Sequence, residues 1–219
     1  MRLLKKIPAR EVKRAFLISD AVRKYLPAKY HHGQVAPPEV FRKSFQKAKE
    51  EVLRLSPAEL DERLIAYYIS KRSGKKKTYA TRLDAYTTSD WYLGEATPAE
   101  TGVWRRAGEL PLRFTNGTLE DTAKNILGAF KRKQTLPGRA GRSIAHILEM
   151  DVHLKQKEHY LLPIMFKGDT GTRGRARLKR VTKVDIDDGN MRSIALAVHG
   201  AKTIRAYIGF PKGSRIAVR

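Results

Sequence analysis

Apolar residues recur at three- and four-residue spacing near the start of the chain, where Val12, Ala15, Phe16, Val22 and Leu26 are interleaved with Arg10, Lys13, Arg14, Arg23 and Lys24. The pattern predicts an amphipathic helix with a basic face over 8–26, stopped by Pro27. A turn-rich connection through Lys29 to Pro38 follows, and then Phe41, Phe45, Ala48, Val52 and Leu55 mark the stripe of a helix of about five turns. Ser56-Pro57-Ala58-Glu59 reads as a capping box with proline at the first helical position, opening a third helix through Leu60, Leu64, Ile65, Tyr67 and Tyr68. Residues 1–70 are therefore expected to form a helical region.

The character of the chain changes after residue 70. Lys71 to Lys77 is a charged, glycine-containing loop, and the Thr- and Tyr-rich run 78–88 predicts a strand or hairpin arm. Thr97-Pro98-Ala99-Glu100 predicts a short helix carrying Trp104, and Thr118 with Asp121 caps a helix through Ile126, Leu127 and Phe130. From 143 to 157 the period is two. Ile144, His146, Leu148, Met150, Val152 and Leu154 fall on one side, with Ala145, Ile147, Glu149, Asp151, His153, Lys155 and Lys157 on the other. That is a strand signature, with a helix as the alternative.

Tyr160 to Phe166 is a further apolar run, confined to an edge or bulge by Pro163 if it is a strand. Turn signals at Asp187-Asp188-Gly189-Asn190 and His199-Gly200-Ala201-Lys202 separate the runs 181–186, 193–198 and 203–210, which predicts an antiparallel meander. The fold class expected is α+β: a helical N-terminal part and an antiparallel sheet, open to strong curvature, in the C-terminal half. Residues 71–219 form its mixed α/β region, the whole being one unit.

Composition adds a partner to this picture. The 219 residues contain 45 Lys+Arg and 22 Asp+Glu, a formal net charge of +23. Such self-repulsion destabilises a compact state unless a polyanion compensates it, so nucleic acid is the expected partner. The basic residues are spread along the chain and not gathered on one amphipathic helix, which argues against a membrane surface. The N-terminus lacks an apolar signal-peptide core, and no apolar run approaches the roughly 18 residues of a membrane span. A cytoplasmic location follows as an expectation. There is no cysteine, which excludes disulfides, cysteine-ligated metal and thiol chemistry.

Three basic clusters stand out. Between Lys167 and Lys183, Arg173, Arg175, Arg177, Lys179 and Arg180 are spaced by Gly168, Gly171 and Gly174, a loop suited to following a phosphate backbone because glycine permits close approach and Arg forks onto phosphate oxygens. A charged hairpin loop serving only solubility has the same composition. Lys75, Lys76 and Lys77 with Arg82 form the second cluster, and Lys131, Arg132, Lys133, Arg139 and Arg142 the third. Cations at 131–133 also suit the end of a helix. Together the clusters predict a cradle around duplex DNA, favoured over RNA, and a two-fold dimer would suit such a ligand. The aromatic residues between Tyr67 and Tyr92 read either as a base-stacking surface or as core.

Candidate chemistry rests on one row. On a strand, Glu149, Asp151, His153 and Lys155 would project from one face at about 6.8 Å intervals. Carboxylates so placed could hold Mg²⁺ against a scissile phosphate, with His153 moving a proton and Lys155 stabilising developing charge. This points to a nuclease of restriction type, or another DNA-processing enzyme; no cofactor other than Mg²⁺ is suggested. A solvated sheet face, or the polar side of a helix, accounts for the same row. The contrasting class is a non-catalytic structural component of a virion or ribonucleoprotein. His31-His32 and the trio His146, His153 and His159 lack metal-ligand spacing, no phosphate-cradling or dinucleotide motif occurs, and 185–190 reads as a hairpin turn, not a calcium loop. Tyr67-Tyr68 with Asp90 to Glu95 and Trp104 faintly resembles the opening of conjugative relaxases, but the three-histidine metal site that family requires is not found, and no family is assigned.

Overall fold

The computed structural model describes residues 1–30, 35–70, 84–134, 136–151, 157–167, 182–214 and 216. The chain runs β1 (Arg2–Ile7), α1 (Ala9–Tyr25), α2 (Pro38–Leu53), α3 (Pro57–Ser70), a helical turn at 84–88, β2 (Ser89–Ala96), β3 (Thr101–Gly102), α4 (Leu119–Lys131), α5 (Gly138–Glu149), β4 (Ile164–Lys167), β5 (Val184–Asp188), α6 (Asn190–Val198) and β6 (Ile204–Pro211). Among the described residues the strands form one sheet in the order β1-β2-β6-β4-β5-β3. The β1–β2, β2–β6 and β4–β5 pairs are antiparallel, while β6–β4 and β5–β3 are parallel. The fold is α+β, as expected from the sequence. The sheet, however, is mixed and not strongly curled, and helices are distributed along the chain and not gathered at its start.

Side-chain alternation places a core on each face of this sheet. Trp91 and Leu93 of β2, Tyr207 of β6, and Ile164 and Phe166 of β4 join Val12, Phe16 and Ile18 of α1, Phe45 and Val52 of α2, and Leu60 and Leu64 of α3. The intervening residues Tyr92, Ala206, Ile208 and Met165 point the other way, onto Ile126 of α4, Ile147 of α5 and Ile194 of α6. β1 would break this rule, since Leu3 serves one core and Ile7 the other although both are odd-numbered. The register shift between Leu3 and Lys5 inserts the residue that flips the face. Gly209 lies on the first face, where a Cβ would sit 3.0 Å from the rings of both Trp91 and Phe166. Its missing side chain is the space those rings use, their centroids being 5.0 Å apart.

Local chemistry explains several boundaries. At the start of α3 the Ser56 N–H donates to the Glu59 carboxylate at 2.8 Å and the Glu59 N–H to the Ser56 hydroxyl at 3.3 Å, and at α4 the Thr118 and Asp121 N–H groups donate to one another's side chains at 3.0 and 3.1 Å.

Four expected elements are different in the structure. The stretch 143–149, expected as strand, belongs to α5, where Ile147, assigned by the period-two reading to the polar side, is 0% exposed. The run 193–198 is the body of α6, so β5 and β6 are not joined as a meander; β4 lies between them in the sheet. A short apolar run fits a buried helix as well as a strand, and Gly189, at φ 84°, provides the left-handed residue that turns β5 into α6 in place of the expected hairpin turn. The second half of the expected strand 78–88 is helical at 84–88, closed by a 2.7 Å bond from the Thr88 hydroxyl to the Asp84 carbonyl. Thr97 to Glu100 makes only a single 3-10 turn, Pro98–Glu100, which ends before Trp104. The first 70 residues also contribute β1, an edge strand that the sequence pattern did not reveal.

Candidate functional site: a charge-balanced cleft beside the sheet

A cleft of about 980 Å³ opens where β5 ends, between the helices of the two faces. One wall is α1, which presents Phe16, Ser19 and Arg23 at helical spacing, with Leu26 just past its end; the facing wall is α5, which presents Arg139, Arg142, His146 and Glu149 at the same spacing. The turn from Asp187 to Arg192 forms its floor, and Asp151 lies just past the end of α5. Phe41, Tyr30 and Tyr67 extend the α1 wall as an aromatic end, and Trp104 closes the opposite side. Trp104 is fixed there twice: its backbone N–H donates to Asn190 Oδ1 at 2.9 Å, and its indole N–H donates to the Ile186 carbonyl at 2.9 Å.

Two polar contacts set the floor. Asp187 is 3% exposed and accepts a 2.8 Å hydrogen bond from the hydroxyl of the equally buried Tyr86. Arg192 donates through Nη1 to Ser19 Oγ and through Nη2 to Asp188 Oδ2, both at 2.7 Å, and so ties α1 to the β5–α6 turn. At the rim, Arg139 and Glu109 form an exposed ion pair. Four arginines (Arg23, Arg139, Arg142, Arg192) and five carboxylates (Glu109, Glu149, Asp151, Asp187, Asp188) line the cleft. Its formal charge is thus 4 − 5 = −1 in a chain carrying +23, so the excess positive charge lies outside it.

The sequence-derived candidates divide into three groups. Glu149, Asp151, Arg139 and Arg142 converge on this cleft, although through a helix face and its end and not through the strand row expected. Lys131, Arg132 and Lys133 lie apart from it, exposed at the end of α4 beside Phe130, which is 62% exposed. His153, Lys155, Lys75, Lys76, Lys77, Arg82, Arg173, Arg175, Arg177, Lys179 and Arg180 lie outside the described residues, as do His31, His32 and Tyr79. Among the described residues, no three His, Asp or Glu side chains are grouped closely enough to hold a metal ion.

His146 lines the cleft in place of occupying the apolar core side expected of it. His159 sits half-buried on the 3-10 turn His159–Leu161, where burial, with Lys5 and Arg205 adding to it, pushes the imidazole below its ordinary value despite Glu11 and Glu158. On the same turn, burial and then the 2.8 Å bond to Glu11 push the Tyr160 hydroxyl up to about 12, which fixes this turn against α1. Of the aromatics that read as either stacking surface or core, Tyr86, Trp91 and Tyr92 are core. The sequence marks Asp187 only as part of a turn and does not mark Arg192: the Tyr86 hydroxyl that meets Asp187 is 101 residues away.

The architecture is that of helices on both faces of a mixed sheet, with a cleft at a strand's carboxyl end, a common place for ligands in layered α/β structures. No protein-family model, curated protein or solved structure matches the chain. Among the described residues, no helix is long and apolar enough to cross a membrane.

Proposed function

We propose that this protein binds nucleic acid, duplex DNA in preference to RNA, through Lys and Arg contacts to phosphates. The observation that carries the reading is the charge of +23, whose self-repulsion a bound polyanion would relieve. Its support on the surface is the run Lys131, Arg132 and Lys133, exposed at the end of α4 while the balanced cleft takes up other arginines. The sharper version is a DNA-processing enzyme of nuclease type acting at the cleft, with Glu149 and Asp151 as the carboxylates that would manage a proton or a developing charge. A cytoplasmic setting belongs to the same proposal.

The test is a labelled duplex incubated with the purified protein, in Mg²⁺ and in EDTA, read both as a retarded complex and as strand breaks under denaturing conditions. Retardation that weakens steeply with salt is expected. Replacing Lys131, Arg132 and Lys133 together by alanine should flatten the salt slope by about two to three. Breaks lost in Glu149→Gln or Asp151→Asn, with retardation kept, would support the enzyme. Intact, retarded DNA throughout would support the non-catalytic component of a virion or ribonucleoprotein, and no retardation at low salt would overturn the proposal.

A further inference from the structure

The geometry points to the cleft as a binding site for one nucleoside-phosphate unit, an inference that takes its ligand class from the nucleic-acid reading above. Three kinds of side chain line the cleft. Phe41 and Tyr67 at one end, and Trp104 on the opposite side, are partly exposed aromatic rings that can meet a planar ring, and base–aromatic stacking is a strong, sequence-tolerant contact. Arg142 of α5 and Arg23 of α1, both exposed and both lining the cleft, offer guanidinium groups to a phosphate. Glu149, exposed at the end of α5, supplies an acceptor for the N–H groups on a base edge. Arg192 does not compete for the phosphate, because Ser19 and Asp188 already hold its guanidinium.

A purely basic trough would hold a phosphate backbone but give a base edge nothing to bind. A purely apolar pocket would exclude the phosphate. The near-neutral cleft, lined by aromatic, cationic and acidic side chains, matches a ligand that carries all three complements, and its volume of about 980 Å³ is at the upper end of small-ligand pockets.

Trp104 makes the test direct. The chain has two tryptophans, and Trp91 is 1% exposed in the opposite core, so a ligand in the cleft is read by Trp104 fluorescence. Titrations use dAMP, deoxyadenosine, inorganic phosphate, a short single-stranded oligonucleotide and a fully paired duplex. Expected is saturable quenching by dAMP, with deoxyadenosine and phosphate each at least about tenfold weaker. Arg142→Ala should weaken dAMP by about tenfold with its urea midpoint unchanged, since Arg142 is exposed, and Trp104→Phe should abolish the signal.

Absence of saturable quenching by dAMP, or quenching unaltered in Arg142→Ala, overturns the inference. Quenching by the oligonucleotide but not by the duplex identifies an unpaired unit of a strand as the ligand. Quenching by dAMP alone identifies the free nucleotide. Duplex retardation without dAMP binding overturns the cleft assignment and keeps the DNA-binding reading, whereas dAMP binding without retardation does the reverse.

Discussion

Glu51, on α2, holds three helices together, and its protonation should be visible in the stability of the protein. Its carboxylate accepts from the Tyr25 hydroxyl at 2.7 Å, from Arg63 at 2.6 Å and from Lys24 at 3.2 Å. Hydrogen bonds from Tyr25 first, then Arg63 and Lys24, outweigh burial and pull the group from an ordinary 4.5 to about 2. A difference of about two and a half pH units sets a ceiling of about 3.4 kcal/mol. The Lys24 and Arg63 side chains are 63% and 51% exposed, so solvent screening reduces the expected contribution to about 1–2 kcal/mol.

The native state holds the proton less tightly than the unfolded chain. The contribution is therefore complete above about pH 4.5, the unfolded value, and is lost as pH falls through the native value near 2. Urea unfolding of the wild type and Glu51→Gln from pH 7 to pH 2.5 isolates it, because the rest of the acid titration is common to both. The wild type should be more stable by about 1–2 kcal/mol at pH 7, and by about half of that near pH 3. A gap that stays constant over this range, or that widens as pH falls, would refute the assignment of Glu51 as a charged clamp.

Ile147→Ala should cost about 2–4 kcal/mol in urea unfolding, because the residue is wholly buried under α5; a strand with Ile147 facing water would make it nearly neutral. Tyr86→Phe, which keeps the ring and deletes the donor to buried Asp187, should lower stability by about 1–3 kcal/mol, measured by calorimetry. Gly209→Val should cost at least about 1–3 kcal/mol by overpacking Trp91 and Phe166, with a changed near-ultraviolet circular dichroism of the tryptophan; an unaltered spectrum and midpoint would mean the rings do not fill that space.

What could be read from the sequence follows the range of the interactions involved. The starts of α3 and α4 were legible because a capping box is closed within four residues. α5 was not, since Ile144, Leu148 and Met150 satisfy a period of two while Ile144, Ile147 and Leu148 satisfy a helix, and only the packing against α6 and the sheet decides between them. β1 was hidden by its own bulge, which removes the alternation that would announce a strand. The cleft was half legible. Glu149, Asp151, Arg139 and Arg142 lie close in sequence, and their types invited attention, but Arg23, Asp187 and Arg192 reach the same cleft only through the docking of α1 and the placement of β5.

The position of β6 has a consequence for how the protein comes into being. In space it lies between β2 and β4, pairing along its length with 89–96 and with 164–166, yet it is the last of the strands to be made. During synthesis β2 and β4 must therefore wait with bare edges, and neither half of the sheet has its inner neighbour until residues 204–211 have left the ribosome. Such distant pairing favours slow folding and exposes the nascent chain to aggregation meanwhile. A chain cut before Ile204 would not be a smaller version of this protein but two unjoined pieces of a sheet, each with a bare edge open to aggregation.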